Sequence, residues 1–329
     1  ILVDTTRADH LGCYGYGRDT SPNIDRLASG GILFLNAYAQ GSQTKETTAS
    51  LVTSLYASTH GVRTMGGVLP ESSPTLPELM QSNGYRTSVF SANILVSPTF
   101  GFGRGVDYFY GETPGAMGRT VIMRIARRTL KNWDSGTADF LVPIAPDERP
   151  FDGPDPAAMN AALLDWIDRA PDAPFFAYMH YMDPHHPYAP PPPYSELFDP
   201  DYGGRRVTHP PDRSGLLPFN EGVRIPERER KNMVAQYDGE IAYFDHEFGR
   251  LLGELERRGL TDRTLVLVTA DHGEEFFEHG GWGHGHSMHE ELIRIPLILS
   301  FPGVLPAGDR VETIVRHVEL LKTILGAGG

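Results

Sequence analysis

Cysteine is almost absent from this chain of 329 residues: Cys13 is the only one. That excludes an intramolecular disulfide and any zinc cage built from thiolates. Cations are also scarce, with 29 Lys and Arg against 42 Asp and Glu and a formal net charge of −13. Nucleic acid is gripped mainly through clustered Lys and Arg, so no nucleic-acid partner is expected. No apolar run approaches the roughly 18 residues needed to cross a bilayer, so no membrane span is expected in this fragment. The sequence opens inside an apolar run without Met and reads as a fragment. The signal or anchor of a periplasmic or exported protein would then lie upstream of residue 1. At the other end, a helical pattern over residues 318–325 runs into Gly326-Ala327-Gly328-Gly329, and a C-terminal subdomain is expected to be missing.

What the chain has in plenty is apolar surface, 40% of its residues, enough for one large core. Strand and helix patterns alternate, which predicts an α/β fold with a mostly parallel sheet and helices on both faces. Strands are read at residues 1–3, 32–37, 85–92, 175–180 and 265–270, and helices at 22–30, 49–55, 76–83, 157–170 and 227–258. Ser21-Pro22 supplies the opening signal of the first helix. In the longest helix Val234, Tyr237, Ile241, Phe244, Phe248, Leu251 and Leu255 recur every three or four residues, predicting one stripe against the sheet. Two regions break the rhythm. Residues 184–230, with Pro190-Pro191-Pro192-Pro193 near the start, read as a long rigid surface loop, and residues 101–146 as an insertion or lid.

The most telling stretch is Val268-Thr269-Ala270-Asp271-His272-Gly273, an apolar strand that stops at a carboxylate and an imidazole. Open α/β sheets keep their ligand sites at the carboxyl ends of strands. Ile1-Leu2-Val3 runs into Asp4 in the same way. If the two strands are neighbours, Asp4, Asp271 and His272 converge on one point, a geometry suited to a divalent cation. Thr44, at the opening of a helix, offers a hydroxyl where the positive helix end favours an anionic ester. A hydroxyl touching a divalent ion loses its proton more easily, which would make Thr44 a nucleophile. Alone, Thr44 reads first as a helix cap.

Seven motifs stand in a fixed order along the chain: Asp4-Thr5-Thr6-Arg7-Ala8-Asp9-His10-Leu11-Gly12, Ser21-Pro22-Asn23-Ile24-Asp25, Thr75-Leu76-Pro77-Glu78-Leu79, Pro184-His185-His186-Pro187-Tyr188, Tyr237-Asp238-Gly239-Glu240-Ile241, Asp271-His272-Gly273 and Glu290-Glu291-Leu292-Ile293-Arg294-Ile295-Pro296. By them the chain resembles the sulfatase family of the alkaline phosphatase superfamily. These matches run along nearly the whole chain. They imply one sulfatase-like catalytic domain over residues 1–329, with an alkaline-phosphatase-like three-layer sandwich around a central sheet. They also imply a histidine on the substrate at His185 and another at His284, for a non-bridging oxygen or the leaving group. Arg7 is expected to hold the Asp4 loop or to contact the same charge, with the structural role foremost, and Lys45 and Asn93 are expected to reach that charge or to be solvated. His180, inside an apolar strand, reads as a satisfied core residue.

The departures bear on the reaction. Sulfatases carry Cys or Ser in a C/S-x-P-x-R motif that is oxidised to formylglycine, whereas the matching segment here is Thr44-Lys45-Glu46-Thr47-Thr48. Threonine cannot form that aldehyde. The paired aspartates of sulfatases are matched by Asp4-Thr5, and their late Asp-Asn by Asp271-His272. The resemblance therefore implies the branches that handle phosphate esters or transfer phosphoethanolamine, with Asp4, Thr44, Asp271 and His272 as metal ligands. An imidazole ligand suits Mn²⁺ or Zn²⁺, with Ca²⁺ as the sulfatase alternative. Asp183, His185 or His186, and His284 have ligand types for a second ion, but one ion is expected. The expected substrate is a small anionic ester, a sulfated or phosphorylated sugar, lipid head group or aryl ester, cleaved through a covalent intermediate on Thr44. Two alternatives stand beside this reading: a true sulfuric ester hydrolase using Ca²⁺, and a catalytically silent relative that binds an anionic ligand.

Overall fold

The computed structural model describes residues 1–111, 153–204, 206 and 225–327. Its strands are β1 (Leu2–Val3), β2 (Ile32–Phe34), β3 (Ala37–Tyr38), β4 (Arg86–Ser91), β5 (Tyr108–Gly111), β6 (Phe175–Tyr181), β7 (Val266–Thr269), β8 (Glu275–Phe276), β9 (Trp282–Gly283), β10 (Arg294–Ile295), β11 (Leu297–Ser300), β12 (Asp309–Val311) and β13 (Val315–Arg316). Eight of them form the central sheet in the order β12-β2-β11-β7-β1-β6-β4-β5. Neighbours run parallel except at β11, which is antiparallel to both β7 and β2. The α-helices among the described residues are α1 (Pro22–Ser29), α2 (Thr44–Thr53), α3 (Ala57–His60), α4 (Leu76–Ser82), α5 (Pro156–Asp168), α6 (Tyr194–Leu197), α7 (Glu227–Arg257), α8 (Glu290–Ile293) and α9 (His317–Ala327).

The strands are apolar on both faces because both faces are covered. Successive side chains point to opposite sides: Leu2, Val89, Tyr178 and Leu299 join a core with Ala49, Leu51 and Val52 of α2 and Leu320 of α9. Val3, Phe90, Met179 and Ile298 face the other way, onto Ile24 of α1, Leu163 and Trp166 of α5, and the stripe of α7. Of that predicted stripe, Tyr237, Ile241, Phe244, Phe248, Leu251 and Leu255 are buried, and Val234 packs at its margin. Each fully buried side chain of this size contributes about 1.5–3 kcal/mol of transfer free energy, so the stripe alone fixes α7 on the sheet.

Three departures from the expected elements have physical causes. The strand read at 32–37 is two strands, β2 in the central sheet and β3 in a three-stranded sheet with β10 and β13. Helix α2 begins at Thr44, five residues before its apolar pattern, because its first two turns bury hydroxyls rather than hydrocarbon: Thr44, Thr47 and Thr48 are all enclosed. The described start of the proline-rich region is not a free loop. Tyr188 is fully buried, Ala189 N–H donates to Glu240 at 2.8 Å, and Gln236 donates to Ser195 O at 2.8 Å, so the segment is strapped onto α7. Of the expected insertion at 101–146, only residues 101–111 are described, ending in edge strand β5; residues 112–146, 205 and 207–224 lie outside the described part.

Candidate active site

Four adjacent parallel strands, in the order β7-β1-β6-β4, end at the same edge of the sheet, and each delivers a polar side chain there. Register places Leu2 opposite both Thr269 and His180, and His180 opposite Ser91. Asp4 therefore follows β1 directly between Asp271-His272 beyond β7 and His180 at the end of β6, with Asn93 beyond β4. Thr44 arrives from above as the first residue of α2.

Asp4, Asp271, His272, His180 and Thr5 are fully buried and Thr44 nearly so. His180 Nε2 lies 3.0 Å from Asp4 Oδ2, which also accepts from Asn93 Nδ2 at 2.8 Å. Asp271 Oδ1 accepts from the backbone N–H of Thr5 at 3.1 Å and of His272 at 3.0 Å. Thr44 Oγ1 is 3.3 Å from His272 Nε2, and that nitrogen is 3.5 Å from Asp271 Oδ2. His272 Nδ1 donates to Gly273 O at 2.9 Å, which leaves the lone pair of the neutral ring on Nε2, facing the cluster. The loop after β1 is held by Tyr237, whose hydroxyl accepts from Arg7 N–H at 2.9 Å and donates to Thr5 O at 2.8 Å. Thr5 has φ of 53°, an uncommon left-handed conformation for a β-branched residue, which the surrounding bonds over-determine.

The donor set fits a divalent cation. Asp4 Oδ1 and Asp271 Oδ2 are sealed from solvent and accept no hydrogen bond. An unsatisfied buried acceptor costs about 1–3 kcal/mol, more when charged, so two side by side call for positive charge between them. One ligand atom each from Asp4, His180 and Asp271 lie within 4.8 Å of one another. The carboxylates perturb each other accordingly. Burial pushes Asp4 upward, but the hydrogen bond from His180 and the imidazoles of His185, His180 and His272 outweigh it and hold Asp4 well below the usual carboxylate range. Asp271 is raised, first by burial and then by the charge of Asp4. For His272, burial disfavours the imidazolium, and the facing carboxylates Asp271 and Asp4 outweigh it and raise its pKa.

The structure thus gathers Asp4, Thr44, Asp271 and His272, the four residues the sequence singled out for the metal. His180 is the satisfied core residue expected, buried and bonded to the Tyr178 hydroxyl at 3.0 Å, and its other nitrogen in addition reaches the cluster. His284 and His185 flank it, with the His284 ring centroid 4.4 Å from His272 and 5.0 Å from His185. Burial and the neighbouring His186 and His284 push His185 down to about 3, so its ring is neutral at ordinary pH. Its Nδ1 lies 2.6 Å from His186 O. Glu274 was not foreseen. Fully buried, its Oε1 is 2.8 Å from His284 Nδ1 and its Oε2 accepts from Tyr188 at 2.8 Å.

Of the three residues expected on the substrate, Asn93 reaches the cluster only through Asp4. Arg7 commits its guanidinium to Asp9, Glu278 and the Glu274 carbonyl, so it braces the loop after β1 instead of presenting a cation. Lys45 donates to Met65 O at 2.6 Å and lies 3.2 Å from the Phe100 ring centroid; burial pushes its pKa down to about 8.

Comparison with known proteins is consistent with this geometry. The sulfatase family model matches residues 1–329. Iduronate 2-sulfatase of Mus musculus is 27% identical over 100% of this chain and 68% of its own length, and the Homo sapiens enzyme 28% identical over 92% and 59%. The chain thus spans about two thirds or less of these relatives. Among solved structures, phosphonate monoester hydrolase of Agrobacterium radiobacter superposes with a TM-score of 0.76 at 22% identity, covering 100% of this chain and 73% of that one. The C-terminal periplasmic domain of EptC from Escherichia coli, solved in complex with Zn, gives 0.67 at 17% identity, covering 100% and 80%. The fold, the converging strand ends and the full-length match lead to one conclusion: this chain belongs to the sulfatase family, ester hydrolases of the alkaline phosphatase superfamily.

Proposed function

We propose that the chain is a metal-dependent hydrolase or transferase that cleaves phosphate or sulfate esters with Thr44 as the nucleophile. The observation that carries this reading is the approach of Thr44 Oγ1 to His272 Nε2, 3.3 Å, beside two buried carboxylates that each keep an unmatched oxygen. Asp4, Thr44, Asp271 and His272 would hold the cation, with His180 beside Asp4. When bound, the cation supplies positive charge that lowers the pKa of a hydroxyl and offsets charge on the ester oxygens. With two imidazoles at the cluster, Mn²⁺ or Zn²⁺ suits the donors better than Ca²⁺.

The chain's own groups divide the remaining work. Position at the start of α2 puts Thr44 where the helix dipole favours an anion. Its oxygen forms a bond to phosphorus or sulfur, its proton passes to solvent, and the bond to the leaving oxygen breaks. His284, aligned by Glu274, gives a proton to that oxygen, and His185, its ring centroid 5.0 Å from that of His284, walls the same side of the site. Water or an acceptor alcohol then displaces Thr44 from the covalent ester, which closes the cycle. Phosphoryl chemistry is favoured over sulfuryl chemistry because threonine cannot supply the aldehyde of formylglycine sulfatases.

The test is turnover of aryl phosphate, phosphodiester and sulfate esters with Mn²⁺, Zn²⁺ or Ca²⁺. Thr44→Ala is expected to abolish turnover with an unchanged circular dichroism spectrum, and retained activity refutes the nucleophile. Sulfate turnover with Ca²⁺ alone supports the sulfuric ester alternative. Failure of the wild type on every ester supports a silent binding protein.

A further inference from the structure

A second group of ligand-type side chains lies outside the catalytic cluster, where the histidine-rich turn after β8 folds back on α8. Glu275 on β8 and Glu291 in the first turn of α8 are 15 or more residues apart in sequence yet meet around His279. One ligand atom from each of the three lies within 4.8 Å of the others. His279 Nδ1 is 2.6 Å from Glu291 Oε1. Glu275 Oε1 accepts from the backbone N–H groups of His279 and Gly281, and its Oε2 lies 2.6 Å from His286 Nε2.

Glu275 is 1% exposed and the Glu291 side chain 7%, but the only side chains paired with them among the described residues are imidazoles. The buried carboxylates Asp4 and Glu274 of the catalytic cluster are likewise paired with imidazoles, His180 and His284. His279 also stacks face to face on His289, with centroids 3.6 Å apart and planes 8° from parallel, which fixes the plane of its ring. Two nearly enclosed carboxylates and a half-exposed imidazole therefore form a compact donor set with no guanidinium or ammonium partner among the described residues. One nitrogen and two carboxylate oxygens, with a fourth position open to water, match the preferences of Zn²⁺.

We propose that Glu275, His279 and Glu291 form a second divalent-cation site of zinc chemistry, which clasps together the two ends of the segment carrying His284. Binding displaces any proton on the His279 nitrogen that takes the metal. His286, paired with Glu275, orients that carboxylate. Because both ends of residues 275–291 are tied at this point, occupancy would firm the backbone that presents Trp282 and His284. The site stands on its own residues and does not depend on Thr44 chemistry.

The experiment uses metal-stripped wild-type protein, His279→Ala, and the Asp4→Asn/Asp271→Asn double variant. Each is loaded with Zn²⁺ and desalted, bound zinc is counted by mass spectrometry, and amide exchange is followed over residues 277–289. His279 is half-exposed, so its removal leaves the core intact. The expected result is one fewer zinc per chain in His279→Ala than in wild type, with zinc slowing exchange of 277–289 in wild type alone. The double variant should keep its peripheral zinc, which separates this site from failure of the catalytic one. Should it not fold, the wild-type and His279→Ala pair still decides. Equal zinc content in those two, or exchange indifferent to zinc, overturns the proposal.

Discussion

Replacing Glu274 by Gln tests how the site holds His284. The carboxylate is fully buried, with one oxygen 2.8 Å from His284 Nδ1 and the other accepting from Tyr188 at 2.8 Å. Glutamine keeps the shape, with its oxygen toward His284 and its amide toward the Tyr188 hydroxyl, but the negative charge facing the imidazole is lost and with it the charge assistance of the bond to His284. A hydrogen bond to a charged group contributes about 1.5–3 kcal/mol, and about 1.4 kcal/mol is a factor of ten. The expected fall in kcat/KM is therefore about 10- to 150-fold, short of the total loss in Thr44→Ala. Initial rates on the best aryl ester at saturating metal give the number, and urea unfolding checks the fold. Because Glu274 acts through His284, it should have little further effect in a His284→Ala background, a non-additivity that a general packing defect would not produce. Additive losses in the double variant, or full activity in Glu274→Gln, would refute the reasoning.

Three further outcomes follow from the same geometry. His317, fully buried with Nε2 2.9 Å from Ala270 O, has its pKa pushed by burial down to about 4. Between pH 4 and its ordinary value near 6.5 the unfolded chain takes a proton that the fold excludes, so its contribution is complete above that value and lost as pH falls. His317→Gln should remove on the order of 3 kcal/mol of the drop in unfolding free energy across this window in urea titrations, and an unchanged pH profile contradicts it. At Gly273 a Cβ would sit 2.0 Å from Glu291 O, so Gly273→Ala must displace the turn carrying His272; thermal melts should show a loss of about 3 kcal/mol or more. His180→Gln should weaken metal binding about 10- to 100-fold in competition with a chromophoric chelator, and unaltered affinity removes His180 from the site.

The sequence was most readable where a short apolar run ends in a charged residue. Asp4 and Asp271-His272 stood out because carboxylates at strand ends have no packing reason to be there. Strand adjacency could only be assumed, and the parallel pairing of Leu2 with Thr269 supplied it. His180 escaped because in one dimension it sits within an apolar strand, and only the register with β1 turns its ring toward Asp4. Glu274 escaped for the opposite reason: it lies in an acidic stretch that reads as solvated surface, and burial there is a tertiary fact. The early start of α2 was hidden because enclosed threonines leave no hydrophobic period. Lys45 was assigned by charge alone and the structure ties it to protein groups, whereas Arg7 holds the loop after β1, the structural role its place in the sequence also offers.

In the proposed reaction the Thr44 oxygen takes the transferred group. Acid quenching during turnover, followed by peptide mass spectrometry, examines this directly. The account predicts a phosphoryl or sulfuryl adduct on the peptide bearing Thr44, absent from Thr44→Ala. An adduct on another residue, or turnover sustained by Thr44→Ala, would contradict it.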